Sequence, residues 1–206
     1  MITNGQLAAR KGFLHELAAA GLEHMHVSVH SVKPEVQARL TGNPRSLANI
    51  LKTMEHAGRE GVRVDVNTVI NSENADHLSL NVRVLAGRYP FLRHFVWNNL
   101  DPMMNRASLN PELVPKLRAF EVELHKAMSW LDAAGLTFRV ERVPLCFMSE
   151  FPHRSTETRK IVKDESREIY FLDEKGLRRQ GKSAWTYDKP ARCGDCSLDT
   201  VCAGLY

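Results

Sequence analysis

The chain has 206 residues, 43% of them hydrophobic and 25% charged, with a formal net charge of +4. Those values fit a soluble globular protein with one sizeable core, or a core with a small appendage. Lys and Arg alternate with Asp and Glu from Arg154 to Lys189 instead of massing on one face, which speaks against a nucleic-acid partner. No apolar run reaches the roughly 20 residues of a membrane span, and Met1-Ile-Thr-Asn-Gly5 lacks the basic and apolar regions of a signal peptide. The expected compartment is therefore the cytoplasm, with no membrane partner.

The first two-thirds of the chain alternates helical and strand periodicities. Leu7, Phe13, Leu14, Leu17, Ala18 and Gly21 predict a helix of about 15 residues from Gln6. Met25, Val27 and Val29 alternate with His26, Ser28 and His30 in a strand. Leu47, Ile50, Leu51 and Met54 mark a second helix, with Ser46 as N-cap and Gly58 and Gly61 at its end. Val62, Val64 and Val66 alternate with Arg63, Asp65 and Asn67 in a strand running to Ile70. A short helix around His77 to Ala86 and a strand from Leu92 to Asn98 follow. Asn110-Pro111 is predicted to open a longer helix whose buried face carries Leu113, Leu117, Phe120, Leu124, Met128 and Leu131, closed by Gly135. Phe138 to Leu145 reads as a further strand. Strands alternating with helices imply βαβ units and a parallel sheet.

Beyond Cys146 the pattern changes. A charged, helical Ser155 to Ser166 leads to a hairpin of Ile169–Leu172 and Leu177–Tyr187 around the turn Asp173–Gly176.

On the first two strands the valines share one face, while His26, Ser28 and His30, and Arg63, Asp65 and Asn67, share the other. Parallel strands covered on both faces read as continuous apolar runs, so a polar face suggests that it lines a chamber. Ligands of such sheets bind beyond the carboxyl ends of the strands, here His30-Ser31, Thr68 to Asn74 and Asn98 to Asp101. Residue by residue there are plainer readings. His26 and His30 could be hydrogen-bonded sheet histidines, and Asn98-Asn99 could be turn chemistry.

All four cysteines fall late in the chain: Cys146 alone, then Cys193, Cys196 and Cys202 in a CX2CX5C knuckle. Cytoplasmic thiols stay reduced, which turns attention from disulfides to metal chemistry. Four thiolates suit an iron–sulfur cluster or a tetrahedral zinc site. Zinc ribbons usually pair one CX2C with another, a pattern that Cys146 and Cys202 do not make.

These residues resemble the radical SAM superfamily. Thr3-Asn4-Gly5 before a helix resembles the end of the third strand of its barrel, and Val27-Ser-Val-His-Ser31 resembles the fourth strand. Arg39-Leu-Thr-Gly42 with Ser46-Leu47 resembles the helix that follows, and Val66-Asn-Thr-Val-Ile70 with Asn74 resembles the fifth strand and its loop. The cysteine knuckle, hairpin and upstream Cys146 resemble the SPASM and twitch extensions. The resemblance implies an α/β fold: residues 1–145 as the C-terminal half of a radical SAM (β/α) barrel, and residues 146–206 as a hairpin and cysteine-knuckle extension.

It further implies an auxiliary [4Fe–4S] cluster on Cys146, Cys193, Cys196 and Cys202. S-adenosylmethionine would lie near Ser28 and Asn67, with Asn98, Asn99 and Leu100 facing the methionine or the substrate. The implied activity is one-electron cleavage of S-adenosylmethionine to a 5′-deoxyadenosyl radical that takes hydrogen from a peptide or small molecule. An electron donor such as flavodoxin or ferredoxin would serve it. The superfamily's CX3CX2C signature is absent, so the resemblance implies an N-terminally truncated sequence that lacks the catalytic [4Fe–4S] cluster and should be inactive alone. The strand from Met25 to His30 would then have only Met1 to Thr3 along one side, and such an edge is expected to aggregate or dimerise. The alternative is a non-catalytic binding module stabilised by zinc or iron–sulfur on its four thiols.

Overall fold

The computed structural model describes residues 1–102, 105–148, 150–165, 168–173, 176–182 and 186–205. Its first part runs β1 (Ile2–Thr3), α1 (Phe13–Ala19), β2 (His24–Ser28), α2 (Pro34–Thr41), α3 (Ser46–Glu60), β3 (Arg63–Ile70), α4 (Leu78–Arg88) and β4 (His94–Asn99). It continues through α5 (Asn105–Leu109), α6 (Leu117–Ala133), β5 (Thr137–Glu141) and α7 (Thr156–Val162) to the hairpin β6 (Glu168–Asp173) and β7 (Gly176–Lys182).

Strands β1 to β5 form one sheet in chain order, every pair parallel. Because the order never reverses and crossovers are right-handed, the connecting helices all lie on one face. That face holds the core. Met25, Val27, Val64, Val66, Phe95, Trp97, Phe138 and Val140 are buried with Leu14, Ile50, Met54, Leu78, Phe120, Leu124 and Met128 from the helices. The opposite face carries the polar half of the alternation in β2 and β3, and at the β5 edge Arg139 lies beside side chains of α7. The sheet is singly wound, as a segment of a (β/α) barrel would be, and the described strands leave it open.

The short β1 lies beside β2, with Ile2 opposite His26 and Thr3 opposite Val27. The Met1 carbonyl adds a hydrogen bond from the His26 amide at 2.7 Å, and the terminal amine donates to the His24 carbonyl at 2.9 Å. Met1 to Thr3 therefore do cover most of the edge of β2.

Several boundaries differ from expectation for local reasons. The helix expected from Gln6 begins only at Phe13, because Gly12 takes φ 81° and the preceding residues form turns; Leu7 is exposed. The helix expected from Pro111 is a single 3₁₀ turn, and α6 starts at Leu117. Pro115 holds Val114 extended (φ −74°, ψ 114°), which a continuous helix cannot accommodate. Ser46 is the first helical residue of α3 and not its cap; Gly58 lies inside the helix and Gly61, at φ 67°, ends it. The helical segment that the resemblance implies at Arg39–Gly42 is a separate helix, α2, with Pro34 at its start and Gly42 at φ 64° past its end, the usual pair of signals. The last sheet strand stops at Glu141 and gives way to a 3₁₀ turn over Leu145–Phe147.

The hairpin is antiparallel, as its alternation predicts, with Asp173 opposite Gly176. Within the expected turn Glu174 and Lys175 lie outside the described residues, as do Ser183 to Trp185 of the expected second strand and Ser166 at the end of the charged segment. The core does not stop at Leu145: Met148 and Phe151 are buried in it, and Ser155 bridges to Val140 beside β5.

Candidate functional site

The carboxyl ends of β2, β3 and β4 are held by a buried polar network. Gln37 Oε1 accepts from the His30 and Ser31 amides at 3.0 and 2.9 Å, and its amide nitrogen donates to Ser46 Oγ at 3.2 Å. Asn74 donates to the carbonyls of His30 and Val69, both at 2.9 Å, and accepts from the Asn71 amide at 2.9 Å. Asn81 accepts from the Val32 amide at 3.0 Å, and Ser31 Oγ meets His77 Nε2 at 2.7 Å. Thr68 Oγ1 donates to the Val29 carbonyl at 2.6 Å. Gln37, His77 and Asn81 were not singled out from sequence, since a buried polar residue on a helix looks like any solvated one until its partners are known.

On this frame the register sets Ser28 opposite Asn67, and Asn98 Nδ2 donates to Asn67 Oδ1 at 2.7 Å. Three polar side chains from adjoining strands thus form one row at the strand ends. Asn98 and Asn99 are the last residues of β4 and not a turn. Leu100 follows, half-buried, its amide donating to the Ile70 carbonyl at 3.1 Å. His30 has a structural job: its Nδ1 accepts from the Val69 amide at 3.3 Å, and burial lowers its pKa, so it sits there as a neutral acceptor.

The second constellation is the thiols. Cys146 occupies the 3₁₀ turn Leu145–Phe147, Cys193 lies in the 3₁₀ helix Ala191–Asp195 with Cys196 at its end, and Cys202 follows the turn Asp199–Val201. The knuckle winds on itself through Cys196 N to Cys193 O at 3.0 Å and Asp199 N to Cys196 O at 3.0 Å. All four cysteines are free and line one cavity of ≈ 430 Å³, together with Pro144, Leu145, Pro190 and Leu198. Burial pushes the Cys146 thiol up, and the other three sulfurs, Cys202 foremost, push it further. Like charges crowd there unless a cation joins them, and a metal reverses that logic.

The knuckle is tied to the rest of the chain. Thr158 Oγ1 donates to the Val201 carbonyl at 2.9 Å, and Lys189 Nζ stands 3.1 Å from Asp199 Oδ1. Gly204 is obligatory: its φ is 96°, and a Cβ there would lie 2.6 Å from the Asp188 carbonyl. That close approach lets Leu205 bridge back to Asp188. Gly194 has open space around it and no such constraint.

A singly wound parallel sheet with a polar row at its strand ends, followed by a four-thiol cavity, defines the architecture as α/β. No protein-family model matches the chain. It is 28% identical over 149 residues to a probable GTP 3′,8-cyclase of Methanosarcina acetivorans, a match covering 66% of this chain and 44% of that protein. It is also 28% identical over 117 residues to a PqqA peptide cyclase of Xanthomonas axonopodis pv. citri, covering 54% and 30% respectively. Both relatives are radical SAM enzymes, and the chain is similar to part of each. The matched stretch is less than half the length of either relative. No helix among the described residues is long and apolar enough to cross a membrane.

Proposed function

We propose that this chain is the carboxyl-terminal part of a radical SAM oxidoreductase and that Cys146, Cys193, Cys196 and Cys202 hold an auxiliary [4Fe–4S] cluster. The observation that carries the reading is the convergence on one cavity of a thiol just past β5 and three thiols from the end of the chain. The sequence spacing favours a cluster over zinc, since zinc ribbons usually pair one CX2C with another and Cys146 and Cys202 do not make that pair.

In this reading residues 1–145 supply a segment of the (β/α) barrel and residues 146–206 the twitch-like or SPASM-like extension. When bound, the superfamily's catalytic cluster and S-adenosylmethionine supply a 5′-deoxyadenosyl radical that abstracts hydrogen from substrate. The three cysteines for that cluster are not in this chain and would come from outside it. What these residues do is bind and orient. Ser28 and Asn67 would present a hydroxyl and an amide to S-adenosylmethionine, with Asn98 fixing the Asn67 amide through their 2.7 Å hydrogen bond. Leu100 would offer the apolar contact beside them. The relatives are named for a nucleotide and a peptide, in keeping with a peptide or small-molecule substrate. A flavodoxin or ferredoxin type of donor would supply electrons.

Anaerobic reconstitution tests the cluster. About four irons and four acid-labile sulfides per chain are expected, with a marked loss in Cys146→Ser. One zinc and no sulfide, from an iron-replete anaerobic preparation, would instead favour the non-catalytic zinc-stabilised module. The reduced chain given S-adenosylmethionine alone should form no 5′-deoxyadenosine; appreciable product would refute the role assigned to this part of the enzyme.

A further inference from the structure

The polar face carries a second cluster of metal-ligating side chains that the proposed function does not use. His24 and His26 are two residues apart on β2 and so project from the same face. Asp65 on β3 is the register partner of His26. One imidazole nitrogen from each histidine and one Asp65 oxygen all lie within 4.8 Å of each other. His24 Nε2 is 3.0 Å from Asp65 Oδ2, and His26 Nδ1 is 3.7 Å from the same oxygen. A tetrahedral ion bonded at about 2.0–2.1 Å holds its donors about 3.4 Å apart, and those two separations bracket that value.

The plain alternative is a histidine–aspartate hydrogen bond, but the geometry does not make one. His24 Nε2 is buried and has no hydrogen-bond partner although the Asp65 oxygen is so near. The Asp65 residue is itself 8% exposed. The close but misaligned carboxylate leaves that nitrogen short of a partner, and a cation between the two would engage it.

We propose that His24, His26 and Asp65 bind a divalent transition-metal ion of the zinc class, pinning β2 to β3. Two imidazoles and a carboxylate are a borderline donor set that suits zinc, and three protein ligands leave a fourth position for water. Both histidine side chains are 29% exposed, which gives that position access to solvent. His94, the register partner of Asp65, is not a ligand. Its Nδ1 meets Thr137 Oγ1 at 2.8 Å, and its Nε2 accepts from Arg139 Nε at 3.3 Å, so both nitrogens are engaged. The site lies toward the amino-terminal ends of the strands, where barrel residues serve stability more than chemistry. An ion there adds its binding free energy to folding.

The test must separate this site from the thiols. The full chain is alkylated with N-ethylmaleimide to remove the four cysteines as ligands, then titrated with ZnCl2 by calorimetry. One equivalent is expected to bind, with a rise in melting temperature relative to EDTA. Asp65→Asn and His26→Ala should each weaken binding by more than the ~10–100-fold that outer-shell changes cost. Cobalt in place of zinc should give visible d–d bands more intense than those of six-coordinate cobalt and without thiolate charge-transfer bands, a readout on the unmutated chain that does not depend on how the variants fold. Absence of zinc binding by the alkylated chain, unchanged affinity in both variants, or a six-coordinate cobalt spectrum would each overturn the proposal. None of these outcomes bears on the four-thiol reading, because those sulfurs are blocked throughout.

Discussion

Loss of the Asn74 side chain should be felt at the strand ends more than any other single truncation there. The residue is fully buried, accepts from the Asn71 amide, and donates to the His30 and Val69 carbonyls, each at 2.9 Å. In Asn74→Ala the two carbonyls keep substitute donors, since Asn81 Nδ2 reaches the His30 oxygen at 3.2 Å and Asn71 Nδ2 reaches the Val69 oxygen at 3.0 Å. The Asn71 amide loses its only side-chain acceptor in dry surroundings. Three hydrogen bonds at about 1 kcal/mol each, with about 1–3 kcal/mol for the orphaned donor, put the cost at about 4–6 kcal/mol. Against a typical total of about 5–15 kcal/mol that is a large fraction. Urea denaturation followed by far-ultraviolet circular dichroism should show it as a lower midpoint at unchanged slope. Asn81→Ala alone should cost less, and the double variant more than the sum, because the His30 carbonyl then loses its last side-chain donor. A cost below about 1 kcal/mol for Asn74→Ala, or strict additivity in the double variant, would refute the shared-acceptor account.

Two further outcomes follow from packing and burial. Gly87→Ala in α4 should stabilise by about 0.5–1 kcal/mol through helix propensity, since nothing lies near the added methyl. Gly58→Ala in α3 should gain nothing or destabilise, because its Cβ would stand 2.9 Å from Phe91 Cε1; equal gains at the two sites, measured by chemical denaturation, would contradict the packing described. Glu157 is buried, and burial raises its pKa above 4.5 despite opposing hydrogen bonds from its own and the Arg142 backbone. A folded pKa above the unfolded one means that this group's stability is complete below pH 4.5 and is lost as pH rises through the folded value. Glu157→Gln should therefore show an advantage in melting temperature that grows from pH 4.5 toward neutrality; a constant offset across that range would show that the carboxyl does not titrate as described.

The sheet was legible because its strands carry a strict alternation that survives in the structure residue by residue. Met25, Val27, Val64 and Val66 are buried among helices, whereas His26, Ser28 and Asn67 face the other way. Helix boundaries were less legible, because one backbone dihedral decides them. Gly12 shortens α1 and Pro115 delays α6, yet the apolar spacing runs on past both. The thiols could be named from spacing alone, but not the cavity, which depends on how Gly204 and Thr158 fold the knuckle back. The His24–His26–Asp65 cluster needed the register of β2 against β3. Shifting that pairing by one residue would turn Asp65 to the core face, and no pattern within a single strand fixes it.

That register also bears on how the two halves of the chain depend on each other. Cys146 stands one 3₁₀ turn past β5, and Ser155, the N-cap of α7, bridges to Val140 on the same strand. Thr158, on the first turn of α7, in turn holds the Val201 carbonyl next to Cys202. Strand β5 is thus tied to the knuckle through α7. An ion or cluster that gathered the four thiols would add a second tie, through Cys146. Its binding free energy would then appear as stability of the β5 edge as well as of the extension.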